Sequence, residues 1–192
     1  VFLWISLIVV VFGSLVFLFV WRAYLSPVNM ELENCNTIEK GNANAISIVF
    51  FADSIDKAKK YVDYFTNLEP ISQFKEKFNF YYIEGYKPDC ELYNNIALLC
   101  YSRDLIRKAA SCPNDHILIL SDDYDRGVRS STYLNVMSIN IKHPMSVLAH
   151  EFGHSFVNLA EEYVPANIPR NSAGNCVADC KDFSGKNNGC YE

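Results

Sequence analysis

The stretch His150–Tyr163, HEFGHSFVNLAEEY, constrains this chain more than any other, because its spacing makes chemical sense on a helix that then reverses. Residues four apart share one helical face, so His150 and His154 stand one turn apart and both imidazoles can reach one cation. Glu151 sits beside the first of them, where a carboxylate can take a proton from a water that the cation acidifies. Zinc suits such a site, since three protein ligands leave a fourth position for water, whose pKa drops from about 15.7 to 7. A third ligand must come from farther along the chain. On an unbroken helix Glu161 lies roughly 16 Å up the axis from His150, at ~1.5 Å of rise per residue, which is out of reach. The chain therefore has to turn back, and Asn158 is the residue of the segment best suited to a left-handed turn. A turn there predicts Glu161 as the third ligand, and a one-residue change in the turn would put Glu162 in its place.

HEFGHSF, two further residues, Leu159, one more and an acidic pair ending in Tyr163 together resemble the IgA-peptidase family of metallopeptidases, which writes HEFGHSF-x-x-L-x-D-E-Y. The resemblance extends upstream to FNFYYI (Phe78 to Ile83) and CPNDHILIL (Cys112 to Leu120), and so covers most of the chain from about Ile46 to Val164. It implies a zincin fold, a bound Zn2+ and hydrolysis of peptide bonds. Two departures from the family pattern stand out. Glu161 stands where Asp is usual, lengthening the expected ligand by one methylene, and Val157 and Asn158 replace a pair that is often glycine-rich. An H-E-x-x-H pattern alone is a weak signal. Its extension by Phe152, Gly153, Ser155, Phe156, Leu159 and the EEY block is what makes it specific.

Residues 1–21, VFLWISLIVVVFGSLVFLFVW, are apolar except for Ser6, Gly13 and Ser14. As a helix they span about 30 Å, the thickness of a bilayer core. A secretory h-region is shorter, and a buried core helix is not apolar on every face, so the run reads as a single transmembrane anchor. Trp4 and Trp21 near its ends suit the membrane interface. All seven cysteines follow this run: Cys35, Cys90, Cys100, Cys112, Cys176, Cys180 and Cys190. No histidine follows His154 to complete a zinc knuckle with the last three, which favours disulfides, and disulfides place the domain outside the cytoplasm.

Residues 22–44 are polar and Asn-rich, with Pro27 and Gly41, and read as a stalk or linker. The globular part then opens with a buried strand, Ile46 to Phe51. Ser54 is placed to cap a helix carrying Ile55, Ala58, Val62 and Phe65 at helical spacing, which ends before Pro70. A second strand runs from Phe78 to Ile83, a helix from about Ser102 to Ala110, and a third strand from His116 to Leu120. Strand, helix, strand, helix, strand predicts an α/β domain, a mixed sheet with helices packed on it, over residues 45–168. Residues 169–192 form a Cys-rich segment, expected to open a further C-terminal part.

Between these strands and the helix of His150, Asp122, Asp123 and Asp125 belong to a turn-like segment; a solvated loop is the expected reading, as the calcium-loop pattern lacks its Gly and terminal Glu. Ser131 to Ile141 reads as one strand before the His150 helix. By resemblance to zincins it would be the edge strand that pairs with an extended substrate, through main-chain hydrogen bonds. His143 and His116 read as surface or capping residues rather than ligands. A net charge of −5 without a basic stripe gives no support for nucleic-acid binding, and no phosphate loop or serine or cysteine nucleophile has a recognisable setting. The expectation is a membrane-anchored, extracytoplasmic zinc endopeptidase acting on a protein or peptide substrate. His150, His154 and Glu161 are its metal ligands, Glu151 its general base, and Tyr163 or Arg129 candidates to stabilise the oxyanion. The competing expectation is a non-catalytic cell-surface domain that keeps zinc for stability.

Overall fold

A computed structural model of the chain describes residues 12–18 and 34–159 and divides the chain into two compact units, Val1–Leu32 and Glu33–Glu192. In the first unit residues 12–18 are helical, with Phe12, Leu15, Val16, Phe17 and Leu18 exposed. Among the described residues no helix is long and apolar enough to cross a membrane; the rest of the 1–21 run lies outside them.

The second unit is built on four strands that are buried almost throughout and mostly apolar, as strands covered on both faces tend to be. Its elements are β1 (Cys35–Glu39), β2 (Ile46–Phe51), α1 (Ile55–Thr66), a 3-10 helix (Ile71–Lys77), β3 (Phe78–Ile83), β4 (Glu91–Tyr93), β5 (Ala97–Leu99), α2 (Arg103–Ala109), β6 (His116–Ser121), β7 (Ser131–Tyr133), β8 (Val136–Asn140) and α3 (Val147–Val157). Six of the strands form one sheet in the order β1-β3-β2-β6-β8-β7, and β4 pairs with β5 in a separate ribbon. The inner strands β3, β2, β6 and β8 are parallel, while β1 and β7 run antiparallel at the two edges. The mixed α/β architecture expected from the strand and helix pattern is therefore present.

Alternate residues of these strands feed two cores. Ile48, Phe50, Phe80, Leu118 and Leu120 face α1 and α3, together with Val62 and Phe65 of α1 and Leu148 and Phe152 of α3. Val49, Phe51, Ile117 and Ile119 face the other way, against Leu105 and Ala109 of α2 and Leu98 of β5. Both α1 and α2 begin as serine caps allow: the Ser54 hydroxyl accepts from the Lys57 N–H at 3.2 Å, and that of Ser102 from the Leu105 N–H at 3.1 Å.

Two stretches differ from the sequence reading. Residues 35–39, assigned to the polar linker, form edge strand β1, which pairs with β3 through its main chain while its side chains alternate between exposed and half-buried. Such an edge needs no apolar run, so composition does not reveal it. The single strand expected over Ser131 to Ile141 is a hairpin. Leu134, at φ 55°, opens a two-residue turn with Asn135, and β7 folds back on β8 with Tyr133 opposite Val136. A left-handed leucine carries no turn signature, which is why the hairpin reads as a continuous strand.

Two disulfides bear out the expectation of oxidised cysteines. Cys35–Cys112 ties β1 to the segment before β6, and Cys90–Cys100 closes the β4–β5 ribbon. Cys176, Cys180 and Cys190 lie outside the described residues.

Candidate metal centre

Helix α3 carries His150, Glu151 and His154, and its docking follows from its aromatic face. Phe152 packs edge-on against Phe65 of α1 at 5.0 Å and Phe78 of β3 at 5.9 Å, and stacks on Phe156 at 5.1 Å. With Phe152 and Leu148 turned into the core, the i,i+4 pair His150 and His154 lies on another face. Their Nε2 atoms come within 3.1 Å of each other, His150 exposed and His154 buried. Two nitrogens each about 2.0–2.1 Å from one zinc stand roughly 3.3 Å apart at a tetrahedral angle, so this donor pair fits the ion with little movement.

The helix ends where the sequence predicts. Asn158 is left-handed, φ 53° and ψ 45°, and it folds the chain back onto the helix it has just left. As a result the Leu159 carbonyl accepts a hydrogen bond from Nδ1 of His154 at 2.9 Å. That bond fixes the ring orientation and assigns the proton to Nδ1, leaving Nε2 as the lone-pair nitrogen that faces His150. Gly153 leaves room for the return: a Cβ there would lie 3.1 Å from Cδ1 of Leu159. Glu161, its alternative Glu162 and Tyr163 lie outside the described residues, so the turn is placed and the third ligand is not. Among the described residues no group of three His, Cys, Asp or Glu side chains forms a metal site.

Glu151 is only 4% exposed. Its Oε2 accepts a hydrogen bond from the Thr132 hydroxyl of β7 at 2.7 Å, and its main-chain oxygen lies 3.0 Å from the same hydroxyl. In β7 the neighbours of Thr132 turn to the opposite face, where the Ser131 hydroxyl donates to the Leu98 carbonyl and Tyr133 packs on Tyr101. Thr132 thus reaches the motif helix from the last strand of the sheet. His150 and Glu151 border a cleft of about 380 Å³, lined also by Arg129, Ser130, His143, Ser146 and Val147.

His143 keeps to the sequence reading, its Nε2 bonding the Arg126 carbonyl at 2.9 Å. His116 does not, and its assignment as a surface or capping residue is corrected. It is 8% exposed, with its ring against Phe152 and Phe156 and its Nδ1 2.6 Å from the Ser155 hydroxyl. Burial pulls its pKa down, partly opposed by the Asp115 charge. In the aspartate loop, Asp122 pairs with Lys57 and Asp123 with Lys87. Thr132 and His116 are the supporting residues that sequence reading missed; their strand positions fit other roles equally well, and only the folded sheet brings them to α3. No protein-family model matches the chain, and no curated protein matches it.

Proposed function

We propose that this chain is a membrane-anchored, extracytoplasmic zinc endopeptidase with a zincin-type domain, as its resemblance to the IgA-peptidase family implies. The observation that carries this reading is the convergence of two imidazole Nε2 atoms at 3.1 Å beside a buried carboxylate, on a helix that reverses at a left-handed Asn158. His150 and His154 would hold the metal, with Glu161 completing the set after the reversal. Bound zinc supplies a Lewis acid that polarises a peptide carbonyl and acidifies water. Glu151 takes the proton from the attacking water as its oxygen bonds to the carbonyl carbon, and delivers it to the departing amine nitrogen as the C–N bond breaks. Edge strand β7 receives the substrate as an extended chain through main-chain hydrogen bonds, which bind with little preference for sequence. The apolar run at 1–21 provides the anchor, and the two disulfides support an oxidising compartment.

The test is hydrolysis of an extended peptide library by the full chain loaded with one zinc per molecule, beside its Glu151→Gln variant. Cleavage by the parent with zinc retained but turnover lost in the variant supports the reading. Zinc retained with no cleavage by the parent moves the non-catalytic, zinc-stabilised surface domain ahead.

A further inference from the structure

Thr132 occupies a position that the reading of Glu151 as base does not use. The two-residue turn at Leu134 and Asn135 makes Tyr133 and Val136 a hydrogen-bonded pair, and antiparallel pairing alternates such pairs with non-bonded ones. Thr132, opposite Met137, is therefore a non-bonded position, and its own N–H and C=O point away from β8. Among the described residues no further strand follows β7 in the sheet. The side chain of the same residue points to the motif helix and donates to the Glu151 carboxylate at 2.7 Å. One residue thus presents main-chain pairing groups to the sheet edge and a hydroxyl to the buried acid.

We propose that Thr132 is the positioning residue for Glu151, fixing its carboxylate relative to a peptide backbone paired on β7. The hydroxyl suits this because two oxygens of Glu151 lie within its reach, Oε2 at 2.7 Å and the main-chain oxygen at 3.0 Å. While the carboxylate is ionised, the hydroxyl donates to Oε2. Once Glu151 has accepted a proton on its other carboxyl oxygen, Oε2 remains an acceptor and the hydroxyl goes on donating to it. The side chain then has a partner on both sides of the proton transfer and need not move between them. Main-chain bonds at Thr132 would hold the substrate by the residue that holds the base. Small displacements at such a site carry large rate effects.

The proposal rests on the peptidase reading, and its test separates the two. Thr132→Val and Thr132→Ser are made in the full chain, with Glu151→Ala as the second background. Urea unfolding of the metal-free proteins comes first: Thr132→Val lowers the midpoint more in the parent than in the Glu151→Ala background, where only the contact to the main-chain oxygen of residue 151 is left to lose. With zinc, Thr132→Val lowers kcat for a library-selected peptide by about 10- to 100-fold with KM within about twofold, zinc content is unchanged, and Thr132→Ser restores most of the rate. Equal midpoint shifts in both backgrounds would overturn the role of Thr132 and leave the peptidase reading standing. So would a loss confined to KM, or a serine variant as slow as the valine one. Coupled midpoints in a parent that cleaves no peptide would sink the peptidase reading, and reduce Thr132–Glu151 to a structural contact.

Discussion

Nδ1 of His154 donates to the carbonyl of Leu159 at 2.9 Å, a bond that exists only because Asn158 sends the chain back over its own helix. It joins two properties that a metal ligand needs, a fixed ring and a known lone-pair nitrogen, to a single left-handed residue.

The turn can be broken without touching a ligand. A β-branched side chain at φ 53° costs about 1–2 kcal/mol in the left-handed region, whereas glycine adopts it freely. Asn158→Val should lower zinc affinity by at least tenfold in a competition titration, and Asn158→Gly should keep it. Equal affinity in the two variants would separate the turn from metal binding.

Space over the helix is the second requirement. Gly153→Ala brings a methyl group to 3.1 Å from a Leu159 methyl, which a shift of a few tenths of an ångström relieves; Gly153→Val adds two more carbons beside the same contact. The alanine variant should lose little stability and the valine variant roughly 1–3 kcal/mol, read by urea unfolding. A valine variant as stable as the parent would show that Leu159 does not pack there.

These two residues also mark how far the sequence could be read. Three strands and three helices follow from apolar runs, serine caps and helical spacing, and Asn158 from its tolerance of positive φ. Each of those signals is local. Thr132 meets Glu151 across 19 residues and His116 meets Ser155 across 39, and no pattern within either segment encodes the meeting. Edge strand β1 is set by main-chain pairing to β3 and by Cys35–Cys112, so its polar side chains resemble a linker. In the β7–β8 hairpin the left-handed turn residue is Leu134, which carries no turn signal, and Asn135 beside it is too little to break an otherwise β-rich run.

His116 makes stability depend on pH in a defined direction. Its pKa in the folded chain is lowered, chiefly by burial, so below about pH 6.5 the unfolded chain binds the proton more readily than the folded one. Its contribution is complete above that pH and is lost as pH falls through the folded value. Urea midpoints of the parent and of His116→Gln should therefore differ more at pH 7.5 than at pH 5. A difference that does not change with pH would show that His116 is not held neutral.

The Cys35–Cys112 bridge spans 77 residues and tethers the edge strand that composition hides. Replacing both cysteines by serine should destabilise the domain by about 2–5 kcal/mol, since the constraint on the unfolded chain is lost. Amide exchange in β1 and along its partner β3 should accelerate first. Loss of stability without faster exchange in β1 would place the effect elsewhere.

The most direct test of the account is the zinc dependence of peptide cleavage by the full chain, read in the parent, in Glu151→Gln and in Glu161→Ala. The account predicts cleavage by the parent that a chelator abolishes and zinc restores. It predicts full zinc content in Glu151→Gln with turnover lower by about 10²–10⁴-fold, and loss of bound zinc in Glu161→Ala. Undiminished cleavage by Glu151→Gln, or by the chelated parent, would contradict it.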